Sequence, residues 1–444
     1  MRNTLYISLI FIITLYNLNA ETADNLGIGG CIGTFGTGSA AMDGNPALMN
    51  NQSRFEFMSL GIDLTVTNNL GINYTQFLNL FTNSGDGVIS EAEKNEIVGN
   101  LNANNRLGMG LNTCFLRFVY TTRDDKNSFG FSLSEKNHIK FDLPKDMIEL
   151  TLFGNTPERT YDFSNLKAEM FWYREYAFGY SRKAGNFSYG ASLKLLEVYT
   201  YLNLDMEKAS LYTNTEHHIR VDLKGDAYSG FSPSLEGLNP FSSSSTVHYS
   251  LFNESAGFGM AVDLGGVWQI NEFFRLGCAL KDLGSVSLSN LQYHVMDEKA
   301  LLSDLTNEQQ FTDIKHLADI TTVPSNSNNI ALSGRIILSG LFNATRLLPV
   351  SEFLLTADYS IYTHEPMNAD FASVFSFGSK LKFKRSLPYI LAGYRSSYDK
   401  ESYVSLGLGY ESDRFALHLS TADLMGWINS ELNARVAFEA IISF

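Results

Sequence analysis

The chain has 444 residues, of which 44% are hydrophobic and only 18% charged, with 32 Phe, 22 Tyr and 9 Pro. This composition favours strands and the aromatic belts of membrane interfaces. The formal net charge of −14 argues against nucleic acid as a partner, because phosphate binding requires basic residues. The three cysteines, Cys31, Cys114 and Cys278, exclude a disulfide framework and leave a single bridge open.

The N-terminus has the three parts of a secretory signal peptide. The cation Arg2 precedes an apolar run from Leu5 to Leu15, and a short polar stretch ends at Ala20. We therefore predict a signal peptide over residues 1–20, cut after Ala20. No run of about 18 apolar residues follows, so the sequence predicts no transmembrane helix. A closed barrel can still span a membrane, because strand pairing satisfies every backbone polar group.

Residues 21–52 are rich in Gly, Ser, Thr and Ala and precede the first strand. Such a segment cannot form a packed domain alone, so it is either a disordered leader or is held inside a larger structure. Within it, Gly36, Gly38 and Ala41 match the dinucleotide pattern G-x-G-x-x-A. We reject a dinucleotide site, because no strand precedes the pattern and no βαβ unit follows it.

Alternation of apolar and polar residues begins after Arg54 and is interrupted by a helical insertion at 71–103. Ser90 and Glu93 form a capping box there, and Ile97 and Leu101 keep a helical spacing. The preceding stretch from Thr82 imitates a calcium loop, but its first ligand position lacks a carboxylate. The sequence favours a glycine turn leading into a capped helix over a calcium site.

Further strands follow through the middle of the chain. A hairpin is predicted around a turn at Ala184–Asn186, and another strand pair around Ile270–Glu272. Three stretches lack clear alternation: we expect 141–165 to be irregular, and 225–245 and 297–328 to be long polar connections, the last with helical character. His217 and His218 are adjacent and would point to opposite faces of a strand, so we reject a metal site there. The count of strands is about 14.

The segment Asn433–Phe444 shows the alternation most simply. Its apolar face carries Phe438, Ile442 and Phe444, and its polar face carries Arg435 and Glu439. Periodicity alone allows a soluble sandwich or an outer-membrane barrel, in which the apolar face meets lipid and the polar face lines the lumen. The signal peptide, this last aromatic strand, the strand lengths of about ten residues and the Tyr and Phe near strand ends favour the barrel.

The barrel assignment turns the polar faces of the later strands toward the lumen. The candidate lumen-lining residues are Arg335, Asp358, Lys380, Lys382 and Arg395. We expect these charges to compensate one another in a satisfied polar network, with a substrate path as the alternative.

Several stretches resemble the FadL-like group of outer-membrane barrels, which includes PorV-like and TraF-like relatives, and most closely an uncharacterised branch from Bacteroidetes-type bacteria. The resemblance rests on GTGSAAMDGNPAL with Asn45, Pro46 and Ala47, on GMAVDLGGVW at Gly259–Trp268, on KDLG at Lys281–Gly284, and on GDGVISEAEK and DLPKDMIELTLFGN. It implies an all-β fold, a transmembrane antiparallel barrel of about 14 strands. The plug is 21–52, the barrel is 53–444, and Gly44, Asn45, Pro46 and Ala47 form the gate inside the lumen.

In FadL-like proteins, external loops capture hydrophobic molecules, which leave the barrel sideways through a gap in the wall. The resemblance therefore implies a passive channel for hydrophobic small molecules in the outer membrane of a Gram-negative bacterium. The alternative is a PorV-like partner of a secretion machine, or a surface adhesin that uses its loops. The expected partners are the lipid bilayer, a hydrophobic ligand and the barrel-assembly machinery, which would bind the strand ending at Phe444.

Enzymatic and cofactor motifs are missing from the sequence. It contains no G-x-S-x-G, H-E-x-x-H, P-loop or CxxC, so we predict neither an enzyme nor a cofactor or metal. No apolar-lined pocket for a cargo can be assigned from the residues alone.

Overall fold

The structure is a computed structural model that describes residues 22–50, 53–68, 90–216, 218–242, 244–248, 254–302, 321–324, 328–362, 373–384, 386–397, 402–412, 414–424 and 434–444. The signal-peptide prediction falls outside these residues. So do His217 and the calcium-loop residues before Ser90.

One antiparallel sheet of 19 strands dominates the described residues. The strands are β1 (Phe55–Asn68), β2 (Asn104–Thr121), β3 (Asn127–Pro144), β4 (Thr160–Asp162), β5 (Lys167–Ala184), β6 (Phe187–Thr213), β7 (Ile219–Phe231), β8 (Gly257–Gln269), β9 (Phe274–Leu288), β10 (Gln292–Leu302), β11 (Thr321–Pro324), β12 (Asn329–Ala331), β13 (Arg335–Asn343), β14 (Glu352–Tyr362), β15 (Ser373–Lys382), β16 (Tyr389–Ser397), β17 (Ser402–Glu411), β18 (Phe415–Ala422) and β19 (Ala434–Ser443). The helices are α1 (Ala23–Gly27), α2 (Glu91–Asn100) and α3 (Lys145–Phe153), with short 3₁₀ helices at Gly38–Met42, Pro46–Leu48, Pro233–Leu238 and Thr345–Leu347.

Fourteen of these strands close into a barrel. The wall runs through β1, β2, β3, β5, β6, β8 and β9, and then from β13 to β19. The last strand, β19, pairs with β1 along its whole length, and Phe55 and Phe444 exchange backbone hydrogen bonds at the seam. The predicted antiparallel barrel of about 14 strands is confirmed. Closure rules out the open two-layer sandwich.

The two faces of the wall are inverted relative to a soluble protein. In β19, Phe438 and Ile442 are each 38% exposed on the outside, whereas Glu439 is only 2% exposed on the inside. The same alternation continues around the barrel, with exposed Leu338, Phe375 and Leu408 on outer positions. The apolar faces predicted from the sequence therefore point outward, and the polar faces point into the lumen.

The two ends of the barrel differ. Short turns join β2–β3, β5–β6, β8–β9, β13–β14, β15–β16 and β17–β18 at one end, the short-turn end, and most connections at the other, the long-loop end, are longer. Exposed aromatic side chains ring the outside at both ends. The ring at the short-turn end contains Tyr120, Phe129, Tyr180, Phe187, Trp268, Phe274, Phe415 and Phe444, and the long-loop end has Phe258, Tyr359, Phe375 and Tyr394. Not every tyrosine near a strand end belongs to these rings, because Tyr362 at the end of β14 is buried beneath Arg335.

Part of the sheet extends past the wall at the long-loop end. β6 continues beyond the barrel, and its outer half pairs with β7, which pairs with β10. The prediction of polar connections over 225–245 and 297–328 is therefore wrong where β7, β10 and β11 lie. An unpaired strand edge recruits further strands even when their alternation is weak. The sequence predicts helical character within 297–328, and residues 303–320 of that stretch lie outside the described residues.

Two helices pack together at the same end. The predicted capping box of α2 is present, because the Ser90 side chain accepts from the Glu93 amide and Glu93 accepts from the Ser90 amide. The hydrogen bonds from Ser90 also lower the pKa of Glu93. The expected irregular stretch 141–165 instead contains α3, whose Ile148 and Leu152 pack on the cluster around Ile97. Among the described residues, no helix is long and apolar enough to cross a membrane.

Candidate functional site

The N-terminal segment lies inside the barrel as a plug. Residues 22–50 contain α1 and two 3₁₀ helices, and nearly all of their side chains are buried. Glycine, alanine and serine dominate this segment, so its backbone approaches the wall closely. The segment that the sequence left as either a leader or an internal element is therefore an internal one.

Asn45 fixes the middle of the plug. Its Oδ1 accepts from the Ala47 amide at 3.0 Å, which caps the short helix starting at Pro46. Its Nδ2 donates to the carbonyl of Gly33 at 2.8 Å and to wall carbonyls of Gly266 and Cys278 at 3.3 and 3.2 Å. One side chain thus joins two parts of the plug to β8 and β9.

Wall glycines make room for the plug backbone. A Cβ added to Gly190 of β6 would lie 2.5 Å from the Pro46 carbonyl oxygen and 2.8 Å from the Ala47 nitrogen. Gly265, in the GMAVDLGGVW stretch, would overlap Asn45 in the same way. Further plug backbone lies against Gly277, Gly378 and Gly393. These positions carry no side chain because the plug occupies that space.

Charged wall residues bind the plug backbone. Asp358 Oδ2 accepts from the amides of Ile32 and Gly33 at 2.7 and 2.9 Å. Glu56 accepts from the Ser39 amide at 2.7 Å. Lys281, from the KDLG stretch, donates to the Gly44 carbonyl at 3.1 Å. Buried carboxylates and an ammonium thus satisfy plug groups that no helix or strand pairs.

The five predicted lumen-lining residues all lie buried on the inner face of β13–β16. Each of them also has a contact outside this set of five. Asp358 binds the plug, Lys380 and Lys382 each contact Glu411 at 3.1 Å, Arg335 donates to Ser360, and Arg395 contacts the Tyr403 hydroxyl. These partners lie in the plug or on other strands, so the sequence alone could not identify them.

A belt of ion pairs runs along the inner face of the neighbouring strands β3, β5, β6, β8 and β9, beside the plug on its long-loop side. Lys194 contacts Asp263 at 2.8 Å, and Lys281 contacts the same carboxylate at 3.2 Å. Asp263 belongs to the GMAVDLGGVW stretch and lies at a register shift between β8 and β9. Lys136 and Glu175 extend the belt at 2.8 Å.

An apolar patch lies beyond this belt, and we call it the inner apolar cluster. It consists of Phe171, Leu196, Val198, Tyr201, Ala256, Val286, Leu288 and Leu291. Leu196 and Val198 continue the inward alternation of Ser192 and Lys194, so the cluster faces the lumen at the long-loop end. This cluster was not predictable from the sequence, because its members come from separate strands and bulges interrupt their alternation.

A crevice lies where β1, β2 and β19 meet beside the start of the plug. Its lining combines Ala23 of the plug, Asn112 and Arg117 of the inner face, and Ile62 and Phe438 of the outer face. A register shift interrupts the pairing of β1 with β19 there. Neither side-chain polar atom of the buried Asn112 has a hydrogen-bond partner among the described residues. The crevice therefore lies between the plug and a place where the strand pairing of the wall is irregular.

We expect Asp358→Ala to loosen the plug without opening the wall. The substitution removes the acceptor of two buried amides, and hydrogen bonds to a charged group contribute about 1.5–3 kcal/mol each. The free energy of local opening should fall by about 3 kcal/mol. The exchange rates of the Ile32 and Gly33 amides should therefore rise by about a hundredfold. Hydrogen-exchange mass spectrometry measures this directly.

Asp142→Ala is the matched control, since its carboxylate pairs with Arg106 away from the plug. Unchanged exchange at Ile32 and Gly33 in the Asp358 variant would show that this carboxylate does not hold the plug.

Comparisons with known proteins agree with the fold. A family model described as "Family of unknown function (DUF5723)" matches residues 46–413. The toluene transporter TbuX of Ralstonia pickettii matches with a TM-score of 0.51 and 12% identity, covering 96% of this chain and 98% of that one. The toluene transporter TodX of Pseudomonas putida gives 0.52 and 12%, covering 96% and 97%. No curated protein gives a significant match.

A TodX mutant described as a monoaromatic hydrocarbon channel also matches, with a TM-score of 0.52 and 13% identity over 96% of this chain and 98% of that one. At these identities the likeness is one of fold. The Bacteroidetes-type branch, the signal peptide and binding to the barrel-assembly machinery stay predictions.

Proposed function

The chain belongs to the DUF5723 family of unknown function, and from this premise we propose that it is a passive channel for hydrophobic small molecules in the outer membrane of a Gram-negative bacterium. The observation that carries the proposal is the inner apolar cluster, which places packed apolar side chains on the lumen side of the wall at the long-loop end, beyond the belt of ion pairs. The transport activity named for the structural neighbours makes monoaromatic hydrocarbons such as toluene the first compounds to test.

The outer face of the wall supports a lipid environment. Apolar side chains cover the middle of the strands, and aromatic side chains ring both ends. Aromatic girdles of this kind lie at the two interfaces of a bilayer in outer-membrane barrels. Fractionation should place the mature chain with the outer membrane.

The polar belt and the plug make a straight passage unfavourable for an apolar molecule. Contact with Lys194, Asp263 or Lys281 would separate buried ion pairs that an apolar solute cannot replace. The register shift between β1 and β19 beside the crevice is where a sideways route would open when the plug moves. Transport would then run from the inner apolar cluster past a displaced plug and into the bilayer.

The test measures uptake of labelled toluene by cells whose outer membrane contains the full chain. Leu288→Asn places a polar amide in the inner apolar cluster, where Leu288 is fully buried. A toluene molecule that enters the cluster would have to displace water from this amide at a cost of about 1–3 kcal/mol, so we expect uptake to fall by roughly tenfold. Binding of toluene to the purified variant should weaken to the same extent.

Leu235→Asn is the matched control. Leu235 is equally buried, but it packs on Trp172 and Tyr199 on the outer face of the wall. Equal uptake by cells with and without the wild-type chain, or equal loss in both variants, would contradict the proposal. A stoichiometric protein partner recovered without toluene uptake would instead favour a secretion partner or an adhesin.

A further inference from the structure

Three side chains with metal-binding atoms meet where the start of the plug touches the wall. Asp24 belongs to α1 of the plug, Glu411 ends β17, and His418 lies in β18. One ligand atom from each lies within 4.8 Å of the others. We call this set the plug–wall triad. None of the three residues lines the crevice described above.

His418 supplies an independent observation. Its side chain is 6% exposed, and neither ring nitrogen makes a hydrogen bond with any described residue. Instead, Nδ1 lies 3.4 Å from Asp24 Oδ1 and 3.6 Å from Glu439 Oε2. These separations are too long for good hydrogen bonds. They are close to the separation of about 3.3–3.5 Å between ligands that share a tetrahedral metal at about 2.0–2.1 Å.

The charges around the triad leave room for a divalent cation. The triad belongs to a network of ion pairs. In this network the carboxylates outnumber the arginine and lysine side chains by two when His418 is neutral. The carboxylates are Asp24, Asp43, Glu352, Glu411 and Glu439, and the cations are Arg117, Lys380 and Lys382. Asp24 and Glu439 are buried and Asp43 is nearly so, whereas Glu352 and Glu411 are about a third exposed, and the excess of two negative charges matches a divalent ion.

Neighbouring groups would support such an ion. The Tyr389 hydroxyl donates to Asp24 at 2.8 Å, which orients that carboxylate from outside. Lys380 also contacts Glu352 at 3.2 Å, so it keeps a partner when Glu411 turns to a metal. The crevice lined by Ala23 and Glu439 adjoins the site and provides access.

We propose that Asp24, Glu411 and His418 bind a divalent metal ion of the zinc type, with Glu439 in reach as a further ligand. One imidazole with two or three carboxylates is a ligand set that Zn²⁺ accepts. Because Asp24 lies in the plug and the other ligands lie in the wall, the ion clamps the plug in place. The proposed metal site goes beyond the proposed transport function and does not depend on which molecule the barrel carries.

The test uses the purified full chain in detergent after treatment with a chelator. We expect one Zn²⁺ per chain by calorimetry, and visible absorption bands of low-symmetry Co²⁺ on titration with cobalt. Removing a protein ligand should weaken binding by on the order of 100-fold in His418→Gln. Zn²⁺ should also slow proteolysis within residues 22–50 of the wild type and fail to do so in Asp24→Asn.

His294→Gln is the matched control, because His294 is a buried histidine that contacts Ser229 away from the plug. Wild-type affinity in His418→Gln, or no stoichiometric binding by the wild type, would overturn the site. Should His418→Gln not fold, X-ray absorption of the zinc-loaded wild type decides, since a first shell without imidazole is incompatible with the proposal.

Discussion

We expect Gly190→Val to displace the plug and convert the barrel into an open pore. A Cβ at this position would lie 2.5 Å from the Pro46 oxygen and 2.6 Å from its carbonyl carbon, and valine adds two further methyl groups. Both contacts are with plug backbone, which cannot rotate away as a side chain would. Overpacking of this kind costs about 1–3 kcal/mol or more.

The plug is the part that gives way, because pairing holds the wall on both sides. Gly190 pairs with Ser181 of β5 and Gly265 of β8, inside the barrel where every strand has two neighbours. The plug contributes no strand to this sheet. We therefore expect a several-fold rise in ion conductance in planar bilayers, and rapid proteolysis within residues 22–50 while the barrel stays folded.

Gly340→Val is the control for placing valine at a strand glycine. Gly340 faces outward in β13, and the nearest atom to an added Cβ is Leu276 Cδ2 at 3.9 Å. Its conductance should match that of the wild type. Unchanged conductance and protease resistance in Gly190→Val would mean that the plug does not depend on close approach to β6.

The wall was predictable from the sequence because strand alternation is a local property. Phe377 stands between a serine and a glycine, Leu408 stands between two glycines, and both lie outside as the inverted pattern requires. Asn45, Pro46 and Ala47 were found through family resemblance, and their segment is buried in the lumen. The part of the wall that contacts this segment was not predicted. Nothing in the sequence around Gly190 shows that the plug backbone packs against it.

Charge partners were the least predictable feature, because closure brings together residues far apart in the chain. Arg435 donates to Asp63 across the seam between β19 and β1 at 2.6 Å, although they are 372 positions apart. Ion pairs carry no local period, unlike apolar faces. Asp358 was therefore correctly turned inward but assigned to other wall charges instead of to the plug.

Arg117 joins carboxylates from distant parts of the chain inside the lumen, so we expect its substitution to lower the stability of the protein strongly. It lies in β2, 1% exposed, and contacts Asp43 of the plug and Glu439 of β19, the latter at 3.7 Å. Arg117→Met keeps much of the volume but leaves two buried carboxylates without this cation. Breaking a buried pair by removing one partner costs about 3–5 kcal/mol. We expect a fall of that size in the free energy of unfolding, measured by denaturant titration in detergent.

Two further variants distinguish the effect of leaving buried carboxylates unpaired from the effect of replacing an arginine by methionine. Arg346→Met removes an arginine whose side chain is 68% exposed and paired with Glu272, so it should change the free energy by no more than about 1 kcal/mol. Asp43→Asn added to Arg117→Met removes one uncompensated carboxylate and should restore part of the loss. Equal effects of the two arginine variants would mean that the lumen is wet enough to screen Asp43 and Glu439. The plug would then be held by its backbone contacts, not by charge.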